Sequence, residues 1–171
     1  MKLPASDRRV MRVAENAAFL SLALILSFVE SLLPAAVLPF PGCKVGLANL
    51  AILAVFYRTH RLSDTAVVSF SRCLITFFLF GNVTSLLFSL CGGAMVLGTL
   101  FLLKRVRGLS FVGISVLCAA AHNLGQLTAA VWLTGSAVFA YTPVLFAAAA
   151  FYGSINGILL NRMPEFITKK S

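Results

Sequence analysis

Pro41-Gly42-Cys43-Lys44-Val45-Gly46-Leu47-Ala48-Asn49 breaks into a chain that is otherwise almost wholly apolar. On one side stands an apolar run from about Ala14 to Leu33. On the other stands a shorter one, from about Val45 to Tyr57. Prolines and glycines make the break an irregular loop, and it brings one cation and one amide to the mouth of a span. A second polar cluster, His122-Asn123-Leu124-Gly125-Gln126, lies inside another apolar run. The two stretches are expected to line one ligand site, with the remaining helices holding them together.

The 171 residues fit one domain. Sixty per cent are hydrophobic, mean hydropathy is +0.96 and only five residues are acidic. A soluble protein of this size has no means of hiding so much apolar surface, so the class is integral membrane. Long runs without strand-like alternation favour helices over a barrel, giving an all-α fold. The net charge of +9 does not indicate nucleic acid, because the basic residues fall in short clusters between apolar runs. Cys43, Cys73, Cys91 and Cys118 are scattered, without a CxxC, and read as small apolar residues with no metal or redox site. Lys2, Arg8, Arg9 and Arg12 precede an apolar run longer than a signal peptide's, with no clear cleavage site after it, so a retained first helix is expected.

Six spans follow: about Ala14–Leu33, Val45–Tyr57, Thr65–Phe80, Val83–Leu103, Phe111–Leu133 and Thr142–Leu160. Ser63-Asp64 or Asp64-Thr65 is a plausible N-cap for the third, and Gly81-Asn82 a turn before the fourth. Four cations lie before span one, and the next loop has only Lys44. Arg58 and Arg61 follow span two; Lys104, Arg105 and Arg107 follow span four; the loops after spans three and five have none. Three more close the chain. Rich and poor loops alternate, which implies a transmembrane domain over 14–160, with cytoplasmic tails over 1–13 and 161–171.

Polar residues inside such spans need a partner, water or a ligand, because a charge there costs roughly 2.5–3.5 kcal/mol on insertion scales. Arg72 either faces the interior or snorkels to the headgroups. Glu30 either braces Lys44 at the outer ends of the first two spans, or one or both meet a ligand arriving from outside. His122, Asn123 and Gln126 sit near the midplane of span five. They read as ligand contacts or as interhelical hydrogen bonds, and Asn49 and Asn156 are further amides that suit the same interior. Ala14-xxx-Ala18 permits close helix approach, within the chain or to a partner subunit. No acidic pair, nucleophile elbow, phosphate loop or zinc motif is present, so neither an enzyme nor a bound cofactor is expected.

The order Glu30-Ser31-Leu32, Pro41 to Asn49, Arg72, Phe88-Ser89-Leu90-Cys91-Gly92-Gly93 and Ala121-His122-Asn123-Leu124-Gly125-Gln126 resembles a bacterial family. This is the Gx transporter family, also labelled heptaprenyl diphosphate synthase component I, and the resemblance runs from about Ala17 to Leu160. The family looks like the six-helix substrate-binding component of energy-coupling factor transporters. The resemblance implies a multi-pass protein of the bacterial cytoplasmic membrane, surrounded by lipid. It implies an outer loop, 34–45, that closes over a small-molecule substrate. It also implies separate coupling and ATPase subunits that meet helix one at Ala14 and Ala18. Glu30, Lys44, Asn49, Arg72, His122, Asn123 and Gln126 are the expected contacts. The synthase label conflicts with the chemistry, because diphosphate transfer needs clustered aspartates for magnesium, and this chain has only Asp7 and Asp64. A non-catalytic accessory of isoprenoid synthesis is the alternative, and a purely structural membrane protein the third.

Overall fold

A computed structural model describes residues 5–32, 46–106 and 108–163. Cys43, Lys44 and the expected lid over 34–45 lie outside the described residues, as do Arg107, Lys169 and Lys170. The described chain is all-helical. Its elements are α1 (Ala5–Ser31), α2 (Ala48–Thr59), α3 (Leu62–Phe80), α4 (Val83–Leu103), α5 (Phe111–Thr134) and α6 (Thr142–Arg162). A 3-10 helix, Ser136–Tyr141, connects α5 to α6.

Five helices are long and apolar enough to cross a membrane. The exception is α2, which at about 1.5 Å per residue is only ~18 Å long. It survives because other helices enclose it. Asn49 and every residue from Ala51 to Phe56 are buried, so the middle of α2 shows no face to solvent or lipid. Its neighbours are α1, α3, α5 and α6. Around it, α1 packs on α3, α3 on α4, α4 on α5 and α5 on α6. Among the described residues α1 and α6 do not meet; α2 fills the space between them.

Polarity in this bundle is inverted. Glu30, Asn49, Asp64, Arg72, His122, Gln126 and Asn156 are all buried. Phe28, Phe70, Phe78, Leu102, Trp132 and Phe151 stand outside, with Trp132 79% exposed. Helix α3 shows the rule within one element. Thr65, Ser69, Arg72 and Thr76 recur at helical spacing on its buried face, while Val67, Phe70, Phe78 and Leu79 form its outer face. Such a molecule is stable only in an apolar surrounding, and the chain is a multi-pass membrane protein.

Helix α1 begins at Ala5, nine residues ahead of the Ala14 expected for the span. Its charged first turns stay helical because they have partners. Arg12 donates to Asp64 Oδ1 from Nε (2.9 Å) and Nη2 (2.6 Å), and Arg58 reaches Glu15 at 3.1 Å. These pairs dock the start of α1 on the α2–α3 turn. They also correct the expected cap of α3. The helix starts at Leu62 after Arg61, and no side chain caps it; Asp64 lies within the first turn, turned towards Arg12. The other ends behave locally. Asn82 Oδ1 accepts from Ser85 N (2.8 Å) after the expected turn, and Ser110 Oγ accepts from Gly113 N (3.1 Å) at the start of α5.

Close helix approach depends on missing side chains. A Cβ on Gly125 of α5 would stand 2.5 Å from the Cys91 carbonyl oxygen and 2.8 Å from Gly92 Cα of α4. Gly153 and Gly157 of α6 meet the α5 backbone at Val116 and Val112 in the same way. Gly98 faces open space. Gly125→Ala is therefore expected to lower stability by about 1–3 kcal/mol through overpacking against backbone. Gly98→Ala should leave it unchanged or raise it by up to about 1 kcal/mol through helix propensity. Thermal unfolding of the two variants in detergent micelles checks this, and a matched loss in both would contradict it.

Candidate functional site

Gly46 is where the opening stretch enters the described structure, at the head of α2. Its φ of +89° lies in the left-handed region, which explains why the position is glycine. Its N–H donates to Glu30 Oε1 of α1 in a short hydrogen bond. Its carbonyl accepts from Asn49 N at 3.0 Å and from Asn156 Nδ2 of α6 at 3.2 Å. One residue thus ties together α1, α2 and α6. Asn49 is buried beside it, and a Cβ on Gly46 would stand 3.1 Å from Asn49 Nδ2. That Nδ2 and the Asn156 Oδ1 have no hydrogen-bond partner among the described residues.

Arg72 is 2% exposed and stands roughly 15 Å into α3, at about 1.5 Å per residue. The earlier start of α3 carries it deeper than a Thr65 start implied. It does not snorkel. Its Nη1 points to Ser27 Oγ at 3.4 Å, and its Nη2 to Cys73 Sγ at 3.6 Å. Ser27 and Glu30 are three residues apart on α1 and share a face, so Arg72 and Glu30 approach the same stretch of α1.

His122 lies near the middle of α5, and the ring occupies space left by a glycine of α4. A Cβ on Gly92 would lie 2.5 Å from the ring's Nδ1 and Cε1. Gln126, one turn on, donates from Nε2 to His122 Nε2 at 2.9 Å. The next glycine, Gly93, faces α3, and a Cβ there would stand 3.1 Å from Ser69 Oγ. Ser69 and Arg72 share the buried face of α3. The α4 glycine pair therefore lets His122 approach from one side and the Ser69–Arg72 face from the other. Asn123 turns elsewhere, donating from Nδ2 to the Leu145 carbonyl of α6 at 2.7 Å.

Of the expected residues, Glu30, Asn49 and Asn156 come together around Gly46. Arg72 joins the same part of α1 through Ser27. His122 and Gln126 form a pair against α4, and Asn123 braces α6. The Glu30–Lys44 pairing falls on an undescribed residue. Ala14 and Ala18 are exposed on α1, in line with exposed Ala17 and Ser21. Sequence reading missed Ser27, which only its helical register with Glu30 suggests. It also missed the Gly153-xxx-Gly157 contact, which its spacing in an apolar run signals. Cys73 and Cys118 are buried free thiols in the helix packing, as read.

A family model described as heptaprenyl diphosphate synthase component I matches residues 19–163, most of the chain. No curated protein and no solved structure matches.

The two side-chain hydrogen bonds on Gly46 should differ in weight. Glu30→Ala removes the acceptor of the buried Gly46 N–H and is expected to cost about 1–3 kcal/mol. Asn156→Ala leaves the carbonyl its bond from Asn49 N and should cost about 0.5–1.5 kcal/mol. Unfolding in mixed micelles measures both, and a larger loss for Asn156→Ala would reverse the ranking.

Proposed function

This chain belongs to the heptaprenyl diphosphate synthase component I family, and from its buried polar interior we propose that it captures a small polar or anionic molecule from outside the cell. The observation that carries this is the burial of Glu30, Asn49, Arg72, His122 and Gln126 inside a bundle with an apolar exterior. Polar groups are expensive to hold there, and purely structural helix contacts need far fewer of them. Lys44 and Asn123 complete the proposed contact set, and the loop over 34–45 acts as a lid from outside.

In this reading the chain crosses a bacterial cytoplasmic membrane six times, with both termini inside. The alternation of basic loops supports the orientation. The ion pairs Arg12–Asp64 and Arg58–Glu15 gather the start of α1 and the α2–α3 turn at one end, which suits that assignment. The chain carries no phosphate-binding loop, so active uptake draws energy from separate coupling and ATPase subunits. The exposed small residues Ala14 and Ala18 offer the docking face for them.

The family's description favours a second reading, a membrane accessory of heptaprenyl diphosphate synthesis. In that case catalysis resides in a partner. Asp7 and Asp64 are the chain's only aspartates, and Asp64 is engaged by Arg12.

Three measurements separate these readings. Native mass spectrometry of the purified protein should detect a co-purifying small molecule, and Lys44→Ala combined with His122→Ala should abolish its retention; undiminished retention removes this site. Affinity purification should recover coupling subunits; recovery of an aspartate-rich soluble synthase in their place establishes the second reading. A reporter active only outside the cytoplasm should work when fused after Asn82 or Gly135 and fail after Arg105. The reverse pattern would invert the orientation.

A further inference from the structure

A guanidinium has five N–H donors and no acceptor, and it remains charged inside proteins. Arg72 brings this group into the middle of the bundle at 2% exposure. Among the described residues it makes two side-chain contacts, both long and both to neutral atoms: Ser27 Oγ at 3.4 Å and Cys73 Sγ at 3.6 Å. Its Nε is buried with no hydrogen-bond partner. The ion pairs of the described residues join Arg12 to Asp64 and Arg58 to Glu15, and none reaches Arg72. Buried charges are ordinarily paired or neutralised. Among the described residues this one has no counter-charge, although it lies on the polar interior face of α3 with Ser69 and Thr76.

We infer that Arg72 is the seat of an oxyanion, so that the captured molecule bears a carboxylate or phosphate group. This rests on the capture reading above and narrows its substrate class. A planar guanidinium offers an N–H edge that matches an oxyanion with two parallel hydrogen bonds. The orphaned Nε belongs to such an edge. Ser27 adds to it. Its oxygen accepts from Arg72 Nη1, so its hydroxyl proton remains to donate to the same anion. Glu30, one turn away on α1, keeps an Oε1 on the Gly46 N–H and lies on the same face as Ser27. The anion therefore binds on the Arg72 side of this face, and the ligand's remaining polar atoms extend towards Gly46 and Asn49.

The test uses the full chain in a non-ionic, phosphate-free detergent. Thermal unfolding and calorimetric titration are run with sodium succinate and with sodium phosphate, against sodium chloride and choline chloride at matched ionic strength. At least one oxyanion should raise the melting temperature, and chloride and choline should not. The stronger of the two identifies carboxylate or phosphate as the ligand group. Arg72→Gln should abolish the shift, and Arg72→Lys should keep a shift with affinity roughly tenfold or more weaker.

A second readout separates this from a structural role. Arg72→Gln removes a buried charge that lacks a counter-charge among the described residues, so without ligand it should melt no lower than the wild type. A lower melting temperature or failure to fold would mean that Arg72 serves the packing, and would overturn the assignment. So would a wild type indifferent to both oxyanions. If native mass spectrometry finds a neutral or cationic molecule retained equally by wild type and Arg72→Gln, the oxyanion seat is overturned while the capture reading stands. If an oxyanion binds through Arg72 but no coupling subunit is recovered, the seat stands and transport with such subunits falls.

Discussion

A bilayer offers no water to a broken backbone, so every peptide group at depth must find a partner within the protein. That constraint is sharpest at Gly46. Helix α2 has only 12 residues, and the backbone at its head finds its partners on neighbouring helices. The Gly46 N–H and carbonyl are satisfied by Glu30 from α1 and by Asn49 and Asn156 from α2 and α6. Because α1 and α6 do not meet among the described residues, Gly46 and the body of α2 join the two ends of the bundle. The polar groups that complete the fold at this point are also those proposed to receive a ligand. Architecture and site share the same atoms.

The inverted polarity of the bundle creates a conflict between stability and binding. Glycines at 92, 93, 125, 153 and 157 allow helices to approach closely, which gains dispersion contacts that lipid does not replace. The same closeness brings Ser69, Arg72, His122 and Gln126 into the interior, where unsatisfied polar atoms are costly. Buried atoms such as the Asn49 Nδ2 and Arg72 Nε are the visible remainder of that conflict. A fold selected for packing alone would have filled these positions with leucine or alanine.

Most of the architecture was legible from hydropathy, because a helix that faces lipid announces itself as a long apolar run. The six runs, the Gly81-Asn82 turn and the interior position of His122 and Gln126 all follow from it. What escaped was whatever depends on pairing across the sequence. Residues 5–13 read as a charged tail, since nothing local reveals that Arg12 will meet Asp64. The same ignorance made Asp64 an N-cap, because a carboxylate near a helix start is ambiguous until its partner is known. Arg72 was open between two directions, which register alone does not decide; the extra turn at the start of α3 and the Ser27 contact are tertiary facts. Asn123 lies next to His122 in sequence but about 100° around the helix, and so it serves α6 instead.

The single tryptophan of the chain, Trp132, stands 79% exposed near the end of α5, far along that helix from His122. Its indole therefore faces the surroundings of the bundle and not the polar interior. The ultraviolet emission of this protein is a property of its boundary. Quenchers carried on lipid chains reach that fluorophore and gauge the depth of the end of α5, while events around Gly46 and Arg72 leave it dark to change unless the whole helix moves.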